Sequence, residues 1–271
     1  MKQILKMDSK DVKTVVFQPK TAGSVSITYS NLKNSSYVDD LGTKHQISKM
    51  TVTYTISSSD IKHGLLILSD PTDGIGLLNA NSVEVNNFKF YDENNNLITL
   101  KPNTAYLAVT SLNHHSDKAT ESVKSGRNTK AYGLAGSSVE VHSDGSLYAS
   151  KSNDFSTSGG TWDLAAHNNE SWDQKGQYEY YGTGLLSLSG SDFNFTFYVQ
   201  NPDSVMTGLS GSGPWFTFTT VIPQTPEPKR KETSARYHYN TSIVYANRII
   251  FSIILLSSLT CNSLITCKYV F

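Results

Sequence analysis

The stretch Phe88–Leu100, FKFYDENNNLITL, predicts the fold class of this 271-residue chain. Apolar and polar residues alternate on both sides of an asparagine-rich turn, the pattern of a β-hairpin with one buried face. Similar alternating or β-branched runs occur along the chain with no helical pattern between them. They span residues 12–17, 24–29, 50–56, 65–68, 83–91, 97–100, 105–111, 139–142, 185–188, 193–199 and 215–221. Strands without crossover helices predict an all-β sandwich rather than a βαβ architecture. Short helical turns are also expected around Asp60–His63 and Leu164–His167.

The composition fits this class and argues against one kind of partner. Hydrophobic residues make up 38% and charged residues 17%, so Ser, Thr, Asn and Gly supply the polarity, as in many extracellular β-proteins. The net charge is zero, but from Ile222 onward six basic residues stand against two acidic ones, which leaves a mildly acidic body. Because nucleic-acid-binding proteins carry basic patches, no nucleic-acid partner is expected.

The chain divides by composition into four parts. We expect an N-terminal lead over 1–11, a β-sandwich domain over 12–222, a Pro/Lys-rich linker over 223–235 and a hydrophobic or aberrant tail over 236–271. Both cysteines, Cys261 and Cys267, lie in this tail, so the body offers no thiol nucleophile or thiolate metal site. The N-terminus has no apolar h-region, so no signal peptide is expected.

The tail has two interpretations. Ile249–Cys267 is 19 residues without a charge, near the length of a membrane span, but it contains Asn262 and eight Ser, Thr or Cys residues. Membrane contact is expected only if this segment is a true part of the protein. The alternative is that it derives from a shifted or disrupted reading frame.

The run Gly159–Gly182, GGTWDLAAHNNESWDQKGQYEYYG, is the candidate binding segment. It concentrates aromatic rings, carboxylates and amides and shows neither helical nor strand periodicity until its end. Flat aromatic faces beside Asp, Asn and Gln are what a sugar-binding surface requires, while the alternative is an ordered loop whose tryptophans plug the sandwich edge. The predicted ligand-binding residues are Trp162, Asp163, Trp172, Asp173, Gln177, Tyr180 and Tyr181. We expect Trp162 and Trp172 to stack on the sugar and Asp163, Asp173 and Gln177 to bond its hydroxyls.

Other chemistries find less support in the sequence. Asp163, Glu170, Asp173 and Glu179 could bind a hard cation or act as a glycosidase pair, but no EF-hand spacing is present and acids in a polar loop are usually only solvated. His114 and His115 are expected in a surface loop, and Trp215 in the core or rim. No nucleophile motif or Gly-rich phosphate loop occurs, so no enzymatic activity is expected.

Several strings, in this order, resemble one known family. They are KMTVTYTIS, ILSDPTDG, FKFYDENNNLI, SLNHH, AGSSVEVHSDGSLYASKSNDF, WDQKGQYEYYGTGLLSL and WFTFTTVIPQTPEP, which together cover roughly residues 12–228. They are similar to the adhesin domain shared by glucan-binding protein C and the variable region of streptococcal surface antigen I/II (Spa) proteins.

The resemblance implies a large lectin-like β-supersandwich with loops framing a binding cleft. It implies a cell-wall or cell-surface adhesin that binds α-glucan (dextran) or, alternatively, a host glycoprotein such as salivary agglutinin. It also implies a calcium ion near the cleft, with ligands that cannot be assigned to residues here. The family's LPxTG anchor is missing from this sequence, and the tail after Lys231 matches nothing in the family, as in a truncated or frameshifted gene.

Overall fold

The residues that the structure describes are nearly all β, with 58% of them in strands and 6% in helices. The computed structural model describes residues 3–9, 12–19, 22–39, 41–56, 64–78, 80–115, 119–155, 160–173, 176–200, 215–220 and 222–223. The chain divides into two compact units, Met1–Glu227 and Pro228–Phe271, and the second lies outside the described residues. The candidate membrane segment 249–267 and the helical turn expected at 60–63 also lie outside them. Among the described residues, no helix is long and apolar enough to cross a membrane.

Two antiparallel eight-stranded sheets form the first unit. Sheet I has the strand order β1-β2-β6-β7-β16-β9-β14-β11, and sheet II the order β12-β13-β10-β15-β8-β5-β3, with β4 beside β5. In chain order the strands are β1 (Gln3–Ser9), β2 (Val12–Gln18), β3 (Gly23–Ser30), β4 (Ser36–Val38), β5 (Lys44–Ile56), β6 (Gly64–Leu68), β7 (Ile75–Leu78), β8 (Ser82–Asp92), β9 (Leu100–Thr110), β10 (Thr120–Ser125), β11 (Thr129–Gly133), β12 (Val139–Val141), β13 (Ser146–Ala149), β14 (Gly184–Gly190), β15 (Phe193–Gln200) and β16 (Trp215–Thr219). Short 3₁₀ turns span Pro71–Asp73, Ala165–His167 and Glu179–Gly182.

The core lies between the two sheets. It is built from the inward-facing residues of each alternating strand, as in β15, where Phe193, Phe195 and Phe197 are buried and the residues between them are half-exposed. The ring of Phe197 in sheet II stacks on that of Phe216 in sheet I, with centroids 4.5 Å apart. Such interdigitated apolar rows hold two sheets face to face.

The Phe88–Leu100 stretch forms its predicted turn but not a full hairpin. The Asp92 carboxylate accepts from the backbone N–H groups of Asn94 and Asn96, and Tyr91 bridges Leu97. Beyond Ile98, however, the chain leaves sheet II, and β9 pairs with β14 and β16 in sheet I. The predicted second strand of the hairpin is therefore reduced to a single bridge, after which the chain crosses from sheet II to sheet I.

The start of the domain also differs from the predicted boundary. Residues assigned to the N-terminal lead form β1, which pairs with β2 from Gln3↔Gln18 to Ser9↔Val12. The first unit therefore includes residues before Val12. The helical turn expected at 164–167 is present as the 3₁₀ turn Ala165–His167.

Candidate functional site

Connections between strands gather at one end of the sandwich, here called the loop end. The described connections there are 111–119, 134–138 and 150–183, and the residues between β15 and β16 are not described. In sheet I the end of β9 lies beside the start of β14, and in sheet II the end of β13 lies beside the start of β12. The connections that follow or precede these strands therefore meet at one end. Hydrogen bonds link the connections to each other, including Leu112 N–H to the Gly182 carbonyl at 3.0 Å and Ser138 N–H to the Tyr181 carbonyl at 2.9 Å.

The longest connection, residues 150–183, is called the aromatic segment and contains the whole predicted binding run. Both of its tryptophans are buried, Trp162 with 1% and Trp172 with 2% exposure. Trp162 donates from Nε1 to the Glu170 carbonyl at 3.0 Å, and Trp172 donates from Nε1 to the Asn153 carbonyl at 2.8 Å. The indole of Trp172 lies so close to Gly182 that a Cβ there would overlap its ring carbons.

Burial changes the expected role of the two tryptophans. The prediction that they form an open stacking platform does not agree with the structure, because a pyranose needs an exposed ring face and neither indole has one. They instead form the local hydrophobic core of the aromatic segment, in which only short 3₁₀ turns are described and no strand. The predicted participation of this segment in ligand binding stays a prediction, and its more exposed rings and polar groups are the candidates for contact.

Trp162 and three rings packed around it form a cluster of four rings, here called the ring cluster. His167 stacks on the indole with centroids 3.7 Å apart, and Tyr181 and Tyr178 pack against it at 4.7 and 5.3 Å. These three outer rings are half-buried, so each keeps part of its surface in solvent. The hydroxyl of Tyr181 shares a 2.8 Å hydrogen bond with Thr161 Oγ1, which fixes the position of its ring.

The other predicted site residues fall into different environments. Asp163 is exposed, and its Oδ1 accepts from the backbone N–H of Ala165 at 2.9 Å, at the start of the 3₁₀ turn. Gln177 is exposed and donates to Glu170 Oε2 at 2.8 Å. Tyr180 is buried, and burial raises the pKa of its hydroxyl. Tyr180 and Tyr181 lie in the Glu179–Gly182 3₁₀ turn rather than in a strand.

Asp173 belongs to a group of carboxylates at the base of the aromatic segment. Its Oδ1 accepts from Ser111 Oγ at 2.6 Å and its Oδ2 accepts from Asn113 Nδ2 at 3.3 Å. Asn113 Nδ2 also donates to Oε2 of Glu121 at 3.2 Å, and the Asn113 backbone N–H donates to the same oxygen at 3.0 Å. One amide therefore connects two carboxyl groups and ties the segment to the start of β10.

Both carboxyl groups are shifted toward the protonated form. Glu121 is only 3% exposed, and burial raises its pKa to about 8, because the Asn113 hydrogen bonds that favour the charged form only partly offset the desolvation. Asp173 keeps an exposed surface, but the protein packed around its carboxyl partly withdraws it from water and raises its pKa. At neutral pH, Glu121 is therefore largely uncharged in the folded protein.

Sequence reasoning missed Asn153, which lies near the start of the aromatic segment and is fully buried. Its Nδ2 donates to the Leu112 carbonyl at 2.9 Å and to Ser138 Oγ at 3.0 Å, while its Oδ1 accepts from His114 N–H at 2.7 Å. Together with the Trp172 bond to its carbonyl, these contacts join all three described connections of the loop end. Nothing in the local sequence SKSNDF separates it from an ordinary loop asparagine.

The predicted histidine pair and Trp215 lie near this end. His114 is half-buried and donates from Nδ1 to the Ala149 carbonyl at 2.5 Å, and His115 forms a 3.3 Å ion-pair contact with Asp154 when protonated. The pair therefore lies in the loop end rather than in a separate surface loop. Trp215 is half-buried at the start of β16, where its Nε1 donates to the Asp73 carbonyl at 2.9 Å, which fits the predicted rim position.

The implied calcium ion has no evident set of ligands among the described residues. Across them, no group of three or more His, Cys, Asp or Glu side chains is arranged to hold a metal ion. The carboxyl groups of Glu121 and Asp173 both accept from Asn113, and two carboxyl groups fall short of the six to eight oxygen ligands that calcium takes. Calcium binding thus stays a prediction from the family resemblance.

Comparison with known proteins agrees with this architecture. The family model described as GbpC, glucan-binding protein C, matches residues 2–219. Among solved structures, the glucan-binding protein C of Streptococcus mutans is 26% identical with a TM-score of 0.56, over 83% of this chain and 68% of that one. That protein is described as mediating both sucrose-independent and sucrose-dependent adherence.

A more distant structure supports the fold alone. The adhesin domain of PrgB from Enterococcus faecalis is 21% identical with a TM-score of 0.51, over 77% of this chain and 66% of that one. The family match spans most of the chain and includes both sheets and the loop end. The chain therefore belongs to the glucan-binding protein C family.

Proposed function

We propose that this protein is a surface adhesin domain that binds α-glucan non-covalently at the loop end. The observation that carries the proposal is the ring cluster, which holds three partly exposed rings beside two exposed polar side chains, Glu170 and Gln177. Family membership supports a carbohydrate partner and adherence outside the cell.

Binding would use the division of a sugar into an apolar face and a polar rim. The face of a glucose unit would pack on the ring of Tyr181 or Tyr178, which Trp162 supports from below. The hydrogen bond between Gln177 and Glu170 orients an amide and a carboxylate toward the same surface, where they would bond the sugar hydroxyls. Because tyrosine rings lose little conformational entropy on binding, a preformed cluster favours affinity without rearrangement.

We propose binding without chemical conversion. A glycosidase needs two carboxyl groups on either side of the scissile bond, one of them free to act as base or nucleophile. Here Glu121 is buried, Asp173 is held by Ser111 and Asn113, and the exposed Glu170 is held by Gln177. Incubation with dextran should therefore produce no new reducing ends, and their appearance would refute this part of the proposal.

Calorimetric titration of dextran oligosaccharides, with calcium and with chelator, tests the proposal. The wild-type chain should bind saturably, Tyr181→Ala and the exposed Gln177→Ala should weaken binding at least several-fold, and Tyr132→Ala should not. Tyr132 is a suitable control because it is half-exposed on β11 and packs on Tyr106, away from the ring cluster. Binding that is unchanged in both loop-end variants would reject this site while keeping the ligand.

The same experiment separates the alternative ligand class. If binding to dextran oligosaccharides is absent under both conditions, the proposed ligand is wrong and a host glycoprotein of the salivary agglutinin type becomes the candidate. Soluble dextran should compete with adherence in the first case and leave it intact in the second. Weak affinity for short oligosaccharides is compatible with adhesion, because many displayed copies act together.

A further inference from the structure

β3, at the edge of sheet II, is an unusually open strand. It pairs with β5 in continuous register from Gly23↔Ile56 to Ser30↔Lys49. In the described parts of the chain, no strand pairs with its other side. Along Val25–Ser30, one row of backbone groups therefore faces away from the sheet, in the arrangement that accepts an added strand.

The other terminal strands carry the protections that natural edge strands use, and β3 does not. Charged residues, proline, bulges and short length all discourage pairing between edges. β1 contains Lys6 and Asp8, β11 contains Lys130, and β12 is only three residues long and contains Glu140. The sequence of β3, GSVSITYS, has no charge and no proline, and its register with β5 has no shift.

Apolar side chains are exposed along the same edge. Val25 and Ile27 pack against the core but stay only partly buried, because no described strand covers them from the side. The same edge continues into β4. The Leu32 N–H donates to the Ser48 carbonyl of β5, and β4 then pairs with the first residues of β5. On β4 and in the following turn, Val38 is 65% exposed and Leu41 is 91% exposed.

We propose that β3 pairs antiparallel with β3 of a second copy of this chain. In antiparallel pairs, residues directly opposite each other share a face of the sheet. A register centred on Ser26 places Val25 opposite Ile27 of the other copy on the core side, and Ser24 opposite Thr28 on the outer side. The strand is therefore self-complementary, as a twofold interface requires, and no like charges of β3 meet.

The resulting dimer should be weak and dependent on concentration. One strand pair with the adjacent Val38 and Leu41 buries less than a standard interface, which covers about 1,600 Å² in total. Two features should still stabilise it, namely the new backbone hydrogen bonds and the coverage of Val25 and Ile27. Neither involves the loop end, so this inference does not depend on the proposed ligand.

Sedimentation velocity of the full chain over a wide range of protein concentration tests the proposal. The wild-type chain should shift from monomer toward dimer as concentration rises, and Ser26→Lys should remain monomeric because two lysines would meet at the centre of the pairing. Ser26 is exposed, so the variant should keep the fold, as circular dichroism would verify. Thr196→Lys, on the outer face of the interior strand β15, is the matched control and should dimerise like the wild type.

Amide hydrogen exchange locates the contact. Exchange at Val25–Ser30 should slow as the protein concentration rises in the wild type and should not change in Ser26→Lys. A wild-type chain that stays monomeric at the highest concentration would overturn the proposal. Association that persists equally in Ser26→Lys would overturn it as well, because a surface other than β3 would then be responsible.

Discussion

At the scale of single residues, Gly182 is required by the packing of Trp172. A Cβ at this position would overlap the indole, and Trp172 cannot retreat easily because its Nε1 is bonded to Asn153 in the interior. We expect Gly182→Ala to lower the free energy of unfolding by about 1–3 kcal/mol, the usual cost of overpacking. Chemical denaturation measures this loss.

Gly133→Ala is the control for that substitution. Nothing lies within 4 Å of a Cβ built at Gly133, and its position in β11 suits alanine. The control should be close to neutral. Equal stability of the two alanine variants would contradict the proposed packing role of Gly182.

Glu121 should make the stability of the fold depend on pH. Its folded pKa of about 8 lies above the ordinary 4.5, so between these values the folded state holds a proton that the unfolded state releases. The free energy of unfolding should therefore fall as pH rises through this window, by up to about 1.4 kcal/mol per pH unit, and remain low above it. Denaturation at a series of pH values measures the slope.

Glu121→Gln isolates this contribution, because glutamine imitates the protonated acid and keeps an oxygen for Asn113. The variant should lose most of the slope and exceed the wild type in stability above pH 8. His45, whose pKa is raised by its hydrogen bond to Asp39, acts in the same direction and remains in both proteins. Identical slopes in the two proteins would show that Glu121 ionises normally.

At the scale of elements, the aromatic segment should behave as one folded unit that Asn153 holds in place. Replacing this buried side chain leaves the Leu112 carbonyl and the His114 N–H without partners, and each such loss costs about 1–3 kcal/mol. We expect Asn153→Ala to destabilise the protein by on the order of 3 kcal/mol and to increase proteolysis within 150–183. The exposed Asn94→Ala is the control and should change neither.

The sequence predicts the elements whose burial follows a simple alternation. β15 and β5 were found where FNFTFYV and MTVTYTI place them, because apolar residues alternate with polar ones and only one face is buried. β10 was missed because TESVKS buries Thr120, Glu121 and Ser122, and the buried carboxyl of Glu121 depends on a distant partner, Asn113. Hydrogen bonds between distant segments leave no local pattern.

The candidate site was predicted less completely than the sheets. Aromatic and polar composition located the segment at 159–182, but composition does not distinguish a ring that packs inward from one that faces solvent. Trp162 and Trp172 are buried because they form the core of the segment itself. Asn153 and Asn113 organise the site from outside that run.

At the scale of the whole molecule, the two proposals together predict a cross-linking dimer. β3 starts at the loop end. Its first residue, Gly23, pairs with Ile56 at the end of β5, and the neighbouring Thr55 pairs with Glu84 near the start of β8. Antiparallel pairing of two β3 strands therefore directs the two loop ends in opposite directions. Each dimer should join two glucan chains instead of gripping one chain twice.

Light scattering with long dextran checks this consequence. The wild-type chain should form large assemblies at concentrations where it dimerises, and Ser26→Lys should not, although both bind short oligosaccharides equally. Because this outcome needs both proposals, the oligosaccharide titration and the sedimentation experiment decide which one is wrong if no assemblies form.

The direction of β16 has a mechanical consequence. The strand begins at the loop end, lies between β7 and β9, and leads to Thr220 and Ile222 beside Thr104 at the opposite end. Tension between a ligand held at the loop end and the chain at Ile222 is thus directed along the strand. Its hydrogen bonds to both neighbours are then loaded together in shear rather than broken one after another, so β16 should resist this direction of pulling better than a force that peels it from the sheet.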